Sequence, residues 1–129
     1  MIDFYYDRPL SIEHVYKKSK KTWDISPASK GGNTFAVEKI ERPKLLGLAI
    51  GTNVLLNIGV AKCHKDDAFV KAVGRSLATQ TMSVQEFTVV KLILDEKSQI
   101  VTLKNKNFIV ELSFITGKNL SRLDFVECV

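Results

Sequence analysis

The chain has 129 residues, 45% of them hydrophobic, enough for one compact core and too few for two independent ones. Its formal charge of +5 and pI near 9.3 point to an anionic partner, a nucleic acid or the acidic surface of another protein, as against a merely soluble basic protein. Two cysteines, Cys63 and Cys128, far apart and with no signal-peptide pattern at the start, exclude a disulfide-stapled secreted scaffold and imply a reducing cytoplasm.

The charge is uneven. Residues 1–61 hold nine Lys and Arg against six Asp and Glu, residues 62–82 four against two, and residues 83–129 six against six. The basic character therefore belongs to the first two thirds of the chain, and a surface built there is the one to examine.

The opening "MIDFYYD" alternates as a short strand, Ile2, Phe4 and Tyr6 on one side and Tyr5 on the other, and Pro9 closes it. In "LSIEHVYKKSKK", Ile12, Val15 and Tyr16 suit a short helix capped by Ser11 slightly better than a continued extended segment. Lys17, Lys18, Lys20 and Lys21 then crowd together between Tyr16 and Trp23. Ammonium groups meet phosphates and aromatic rings stack on bases, so this is the most nucleic-acid-like cluster in the chain; a solvated loop kept open by repulsion is the plainer reading of the same residues. "SPASKGGN" reads as a loop into the main sheet, leaving residues 1–33 as a more loosely attached arm of the one domain.

"TFAVEKIE" alternates as a strand with Phe35 and Val37 inward, ended by Pro43. Leu45 to Ala61 carries no charge, but its glycines and asparagines argue for a hairpin turning at "GTN" and against a membrane span. Val54, Leu56, Ile58 and Val60 share one face of the second strand, and the small Gly59 and Ala61 on the other leave room for a closely packed element.

That element is expected in "KCHKDDAFVKAVGRSLATQTM", Lys62 to Met82, as an amphipathic helix capped by Asp66. Phe69, Val70, Val73 and Leu77 form a stripe expected to face the core, with Lys71 and Arg75 opposite and Gly74 permitting close approach to a sheet. A meander follows: Val84 to Asp95 with both faces largely apolar, a turn at "DEKS", a return over Ile100 to Lys104, a turn at "NKN", and Phe108 to Ile115 with Phe108, Val110, Leu112 and Phe114 on one face. "LSRLDFVECV" ends the chain as a short strand or a docked tail. The fold class these readings define is α+β, a curved, mainly antiparallel sheet or partly open barrel packed around one central helix.

No constellation of catalytic groups emerges. A zinc site from Cys63, His64, His14 and Cys128 lacks the paired short spacings such sites use, and "ITGKNLS" lacks the leading glycine of a phosphate loop. Asp66 and Asp67 are explained by a helix N-terminus. The expectation is a non-enzymatic protein without metal or cofactor.

The runs "NIGVAKCHKDDAFVKAVGRSLA" and "GGNTFAV", with the opening "FYYDRPLSIEHVYK", resemble the RNA polymerase-associated small proteins of T-even-type bacteriophages. The resemblance implies a phage protein in the host's bacterial cytoplasm that binds host RNA polymerase and modulates transcription. Lys62, Lys65, Lys71 and Arg75 would steer the encounter with an acidic surface, and Tyr16, Trp23 and Phe125 are the aromatic anchors to test. A nucleic-acid-binding module using the same lysines is the second expectation, and an inhibitor of a bacterial defence enzyme the third.

Overall fold

A computed structural model of the chain describes residues 1–17, 20–38, 47–115 and 121–129, with residues 11–17, 20–27 and 121 described by their backbone. Among the described residues nine strands and one helix follow in order: β1 (Ile2–Asp7), β2 (Leu10–Lys17), β3 (Lys20–Pro27), β4 (Lys30–Glu38), β5 (Asn53–Ala68), α1 (Lys71–Gln80), β6 (Ser83–Leu94), β7 (Ser98–Lys104), β8 (Phe108–Ile115) and β9 (Ser121–Cys128). Seven strands form one antiparallel sheet in the order β1-β4-β5-β6-β7-β8-β9, while β2 and β3 pair only with each other. The sheet curls until β1 approaches β9, giving a nearly closed barrel.

This corrects the expected fold class. Among the described residues strand predominates, α1 is the one helix and is short, and it lies outside the barrel rather than at the centre of a sheet. Among the described residues the fully buried core is built from strand residues, with Leu48 of the segment before β5 packed against it. Phe35 and Val37 from β4, Leu56 and Ile58 from β5, Phe87 and Val89 from β6, and the alternating residues of β7 and β8 all point into the barrel. Phe108, at the start of β8, links two other core rings, edge-on to Phe35 at 6.2 Å and stacked with Phe87 at 6.5 Å between ring centroids.

Strand β4 is buried on both faces, and the second face explains the helix. Thr34 and Ala36 look outward, as do Gly59 and Ala61 of β5, so the outer wall here is made of small side chains. Helix α1 lies across this wall with Gly74 against Thr34 and Ala78 against Gly59. Of the α1 residues only Ala78 is buried. The expected core-facing stripe is wrong: Val70, Val73 and Leu77 are 52%, 55% and 47% exposed. A helix that must approach a sheet closely turns its smallest residues inward, and the larger apolar ones are displaced to its flank.

Three local readings also change. Residues 66–70 are not helical: β5 runs to Ala68, and the N-cap is Val70, extended and without a side-chain capping bond. Leu10–Lys17 and Lys20–Pro27 pair as a two-stranded ribbon where a short helix was expected, with Ile12 opposite Ile25 and Tyr16 opposite Lys21. The "GTN" hairpin is not formed as expected. Residues 39–46 lie outside the described residues, residues 47–50 are not strand, and the partners of β5 are β4 and β6. Ile50 and Gly51 occupy instead the middle of a turn closed by the Thr52 amide donating to the Ala49 carbonyl at 3.0 Å, with Gly51 at φ 94° as a type II turn requires.

Candidate functional site

The ribbon springs from the barrel at one point. Its base is closed by the Ala28 amide, which donates to the Pro9 carbonyl at 2.8 Å, and by Arg8, whose Nη2 donates to the Ala28 carbonyl at 2.8 Å. Gly32, at φ 115°, stands where a Cβ would press on the Asp7 carbonyl at 3.0 Å and on Arg8 and Phe69 at 3.2 Å. Only glycine lets β1, β4 and the segment before α1 converge this closely.

Strand β5 bulges beside the same point. Gly32 pairs with Cys63 and Lys30 with Ala68, so the four residues His64 to Asp67 stand against Gly31 alone and β5 carries three extra residues here. The loop is held by its own groups: the Asp66 amide donates to His64 Nδ1 at 3.2 Å, and the Asp67 carbonyl lies 3.4 Å from Cys63 Sγ. Asp66, expected as a helix cap, therefore serves the bulge. His64 Nδ1 is turned to Asp66 rather than to the neighbouring thiol, so the pair is not set up as nucleophile and base. Phe69 closes the segment, its amide donating to the Ser29 carbonyl at 2.9 Å.

Helix α1 starts here and has two unlike flanks. On the β1 side, Lys71 Nζ lies 4.9 Å from the centroid of the Tyr6 ring, and Arg75 Nη1 donates to the Tyr6 hydroxyl at 3.2 Å. Tyr6 meets Phe69 edge-on at 6.1 Å, and the Arg8 guanidinium carbon stands 4.4 Å over Phe69. Two cations thus lie over the faces of two neighbouring rings and a third bonds the Tyr6 hydroxyl, and among the described residues no ion pair engages any of them. On the β5 side, Val70, Val73 and Leu77 line an apolar groove of about 230 Å³ with Ala68 and Phe69, rimmed by Lys62, His64 and Asp67. Thr34, 1% exposed, lies at its floor with a hydroxyl that has no hydrogen-bond partner.

Of the residues expected to bind a partner, Lys71 and Arg75 are brought together on Tyr6. Lys62 and Lys65 are exposed on β5, Lys62 opposite Asn33 and Lys65 within the bulge. Lys17, Lys20 and Lys21 fall at the far end of the ribbon with Tyr16, and Trp23 pairs in register with His14 midway along it. Lys18 lies outside the described residues. Phe125 is half-buried on β9 opposite Glu111. Tyr6, Arg8 and Phe69 were missed. Tyr6 and Arg75 are 69 positions apart, and no local pattern announces their contact.

Cys63 and Cys128 are both free thiols. Cys128 lines a second cavity of about 300 Å³ with Lys62, Thr81 and Gln85. Burial pushes its pKa up, Lys62 opposes the shift, and Asp7 and Glu127 add to it. Among the described residues no helix is long and apolar enough to cross a membrane. No family model, curated protein or solved structure matches the chain.

Proposed function

We propose that this is a phage-encoded, non-enzymatic protein that binds the RNA polymerase of its bacterial host and modulates transcription. The partner comes from the resemblance carried by the opening "FYYDRPLSIEHVYK" and the run from Asn57 to Ala78. One structural observation carries the binding itself: the β5 flank of α1 leaves Val70, Val73 and Leu77 in water along a groove large enough for a partner's side chain. Charge alone steers an encounter, whereas affinity comes from a few desolvated apolar anchors. This flank supplies both, since Lys62 and Lys65 stand on the adjoining strand without carboxylate partners among the described residues.

The test uses immobilised protein and purified bacterial RNA polymerase, both treated with nuclease. The wild-type chain is expected to retain polymerase, and Val73→Asp with Leu77→Asp to weaken retention about tenfold or more. Both side chains are exposed, so the unfolding midpoint of the double variant should stay close to that of the wild type. Absence of retention by the folded wild-type protein would end this reading.

A further inference from the structure

One end of the barrel interior is lined with polar groups. On β5 the residues facing inward run Leu56, Ile58, Val60 and then Lys62, and on β6 the inward Phe87 is preceded on the same face by Gln85. Cys128 of β9, opposite Phe108 of β8, stands at the same end. Lys62, Gln85 and Cys128 line the cavity of about 300 Å³, with Ile58, Val60 and Phe108 as its apolar side. Its walls are set before a ligand arrives. Gln85 Oε1 accepts from Asn105 Nδ2 at 3.0 Å and from Asn107 Nδ2 at 3.5 Å, and the Thr81 hydroxyl accepts from the Val60 amide at 3.0 Å.

Lys62 brings two unused donors to this space. The Val60 amide reaches Thr81, on the side away from β4, so Val60 and Phe35 are a non-hydrogen-bonded pair of the antiparallel ladder, and Lys62 and Asn33, two residues on, are another. The Lys62 amide therefore also points away from β4, beyond the pair Ile58 and Ser83 where β5 and β6 part, and among the described residues no acceptor takes it. The Lys62 ammonium enters no ion pair among the described residues. Burial raises the pKa of Cys128 and the Lys62 charge opposes the rise, so ammonium and thiol face the same space. Asp7 and Glu127 also act on the thiol, each less than Lys62, and neither lines the cavity.

We propose that this cavity binds a small monocarboxylate, its carboxylate held by the Lys62 ammonium and amide and its apolar body laid on Ile58, Val60 and Phe108. One cation matches one negative charge, and the two oxygens of a carboxylate match the two donors. A phosphate monoester would bring a second charge that no cation lining the cavity meets. A neutral ligand leaves the ammonium unmatched, and a cationic one meets repulsion. A space at the small end of ligand sites holds a single ring or a chain of a few carbons, and the protonated Cys128 thiol extends its apolar wall.

This site goes beyond the polymerase reading, since the cavity lies at the end of the barrel and the α1 groove on its outer wall, and its test needs no polymerase. The isotope-labelled full chain is titrated at neutral pH with benzoate, phenylacetate and hexanoate, beside benzyl alcohol and benzylammonium, and amide shifts are followed by nuclear magnetic resonance. At least one carboxylate should saturate, with the largest shifts at Lys62, Phe108 and Cys128. Benzyl alcohol and benzylammonium should bind about tenfold more weakly or worse, the worth of hydrogen bonds to a charged group. Lys62 is exposed, so Lys62→Met should fold as the wild type does and weaken carboxylate binding about tenfold. Val73→Gln with Leu77→Gln should leave carboxylate affinity unchanged. The saturating carboxylate should also slow alkylation of Cys128 by iodoacetamide in proportion to occupancy, while Cys63, which lines the α1 groove, reacts at its ordinary rate. The proposal is overturned if none of the three carboxylates saturates the folded wild-type chain, if benzyl alcohol binds as tightly as they do, or if Lys62→Met keeps the wild-type affinity. Protection of Cys63 in place of Cys128 would put the ligand in the groove and overturn it equally.

Discussion

Gly59 and Gly74 set the distance between α1 and the barrel, and each can be tested by adding one methyl group. At Gly59 a Cβ would run into the Ala78 carbonyl oxygen and sit 2.7 Å from the Met82 amide nitrogen. The obstacle is backbone that cannot swing aside, so Gly59→Ala should lift the helix and cost about 2–3 kcal/mol, read from chemical denaturation with the helical signal followed by circular dichroism. At Gly74 the obstacle is the Thr34 side chain, which can be cut away. Gly74→Ala alone should destabilise the protein, whereas in a Thr34→Ala background the gain in helix propensity should offset most of the cost, a coupling of about 1 kcal/mol or more in a double-mutant cycle. Cys128 supplies a pH dependence. Burial raises its pKa in the folded state above the ordinary thiol value of 9.0, so the unfolded chain releases this proton first as pH rises. The contribution is intact below the unfolded thiol's pKa and is lost as pH climbs through the folded one. Urea midpoints should therefore fall more steeply above about pH 9 in the wild type than in Cys128→Ala, with a constant difference between the two at neutral pH.

At the scale of elements, the strands were legible where one face meets the core and the other does not. Alternation alone placed Phe108, Val110, Leu112 and Phe114 on one face of β8, and all four are buried. Simple alternation does not carry through β6, where a bulge between Val89 and Lys91 resets it. Phe87 and Val89 point inward, but beyond the bulge it is Leu92 and not Lys91 that packs on the core. The helix was found but turned the wrong way, because an apolar stripe at helical spacing reads alike whether it faces a core or a groove. What decides is the partner wall, and Ala36, Gly59 and Ala61 admit only the smallest face of α1. The ribbon was missed for a related reason. Ile12, Val15 and Tyr16 have helical spacing, but pairing with a strand several positions on overrides local propensity. The corrected placement predicts that Val73→Gln and Leu77→Gln each change stability by no more than about 0.5 kcal/mol, where core positions would lose about 2–5 kcal/mol. Thermal unfolding of the two variants decides between these placements.

For the whole molecule, the question is how far the ribbon and the barrel depend on each other. The ribbon forms its own two-stranded sheet, and its two ends already meet where the Ala28 amide donates to the Pro9 carbonyl. Among the described residues the buried cluster inside the barrel draws on strands of the seven-stranded sheet. Replacing Leu10–Pro27 by a two-residue Asn-Gly turn should therefore leave the barrel folded, with an unfolding free energy within about 1 kcal/mol of the full chain, since surface segments remote from the core contribute little. Retention of polymerase through the Val73 and Leu77 groove should persist, since that flank keeps its neighbours on β5. A shortened chain that stays folded but no longer retains polymerase would mean that the partner engages more of the molecule than the groove beside α1.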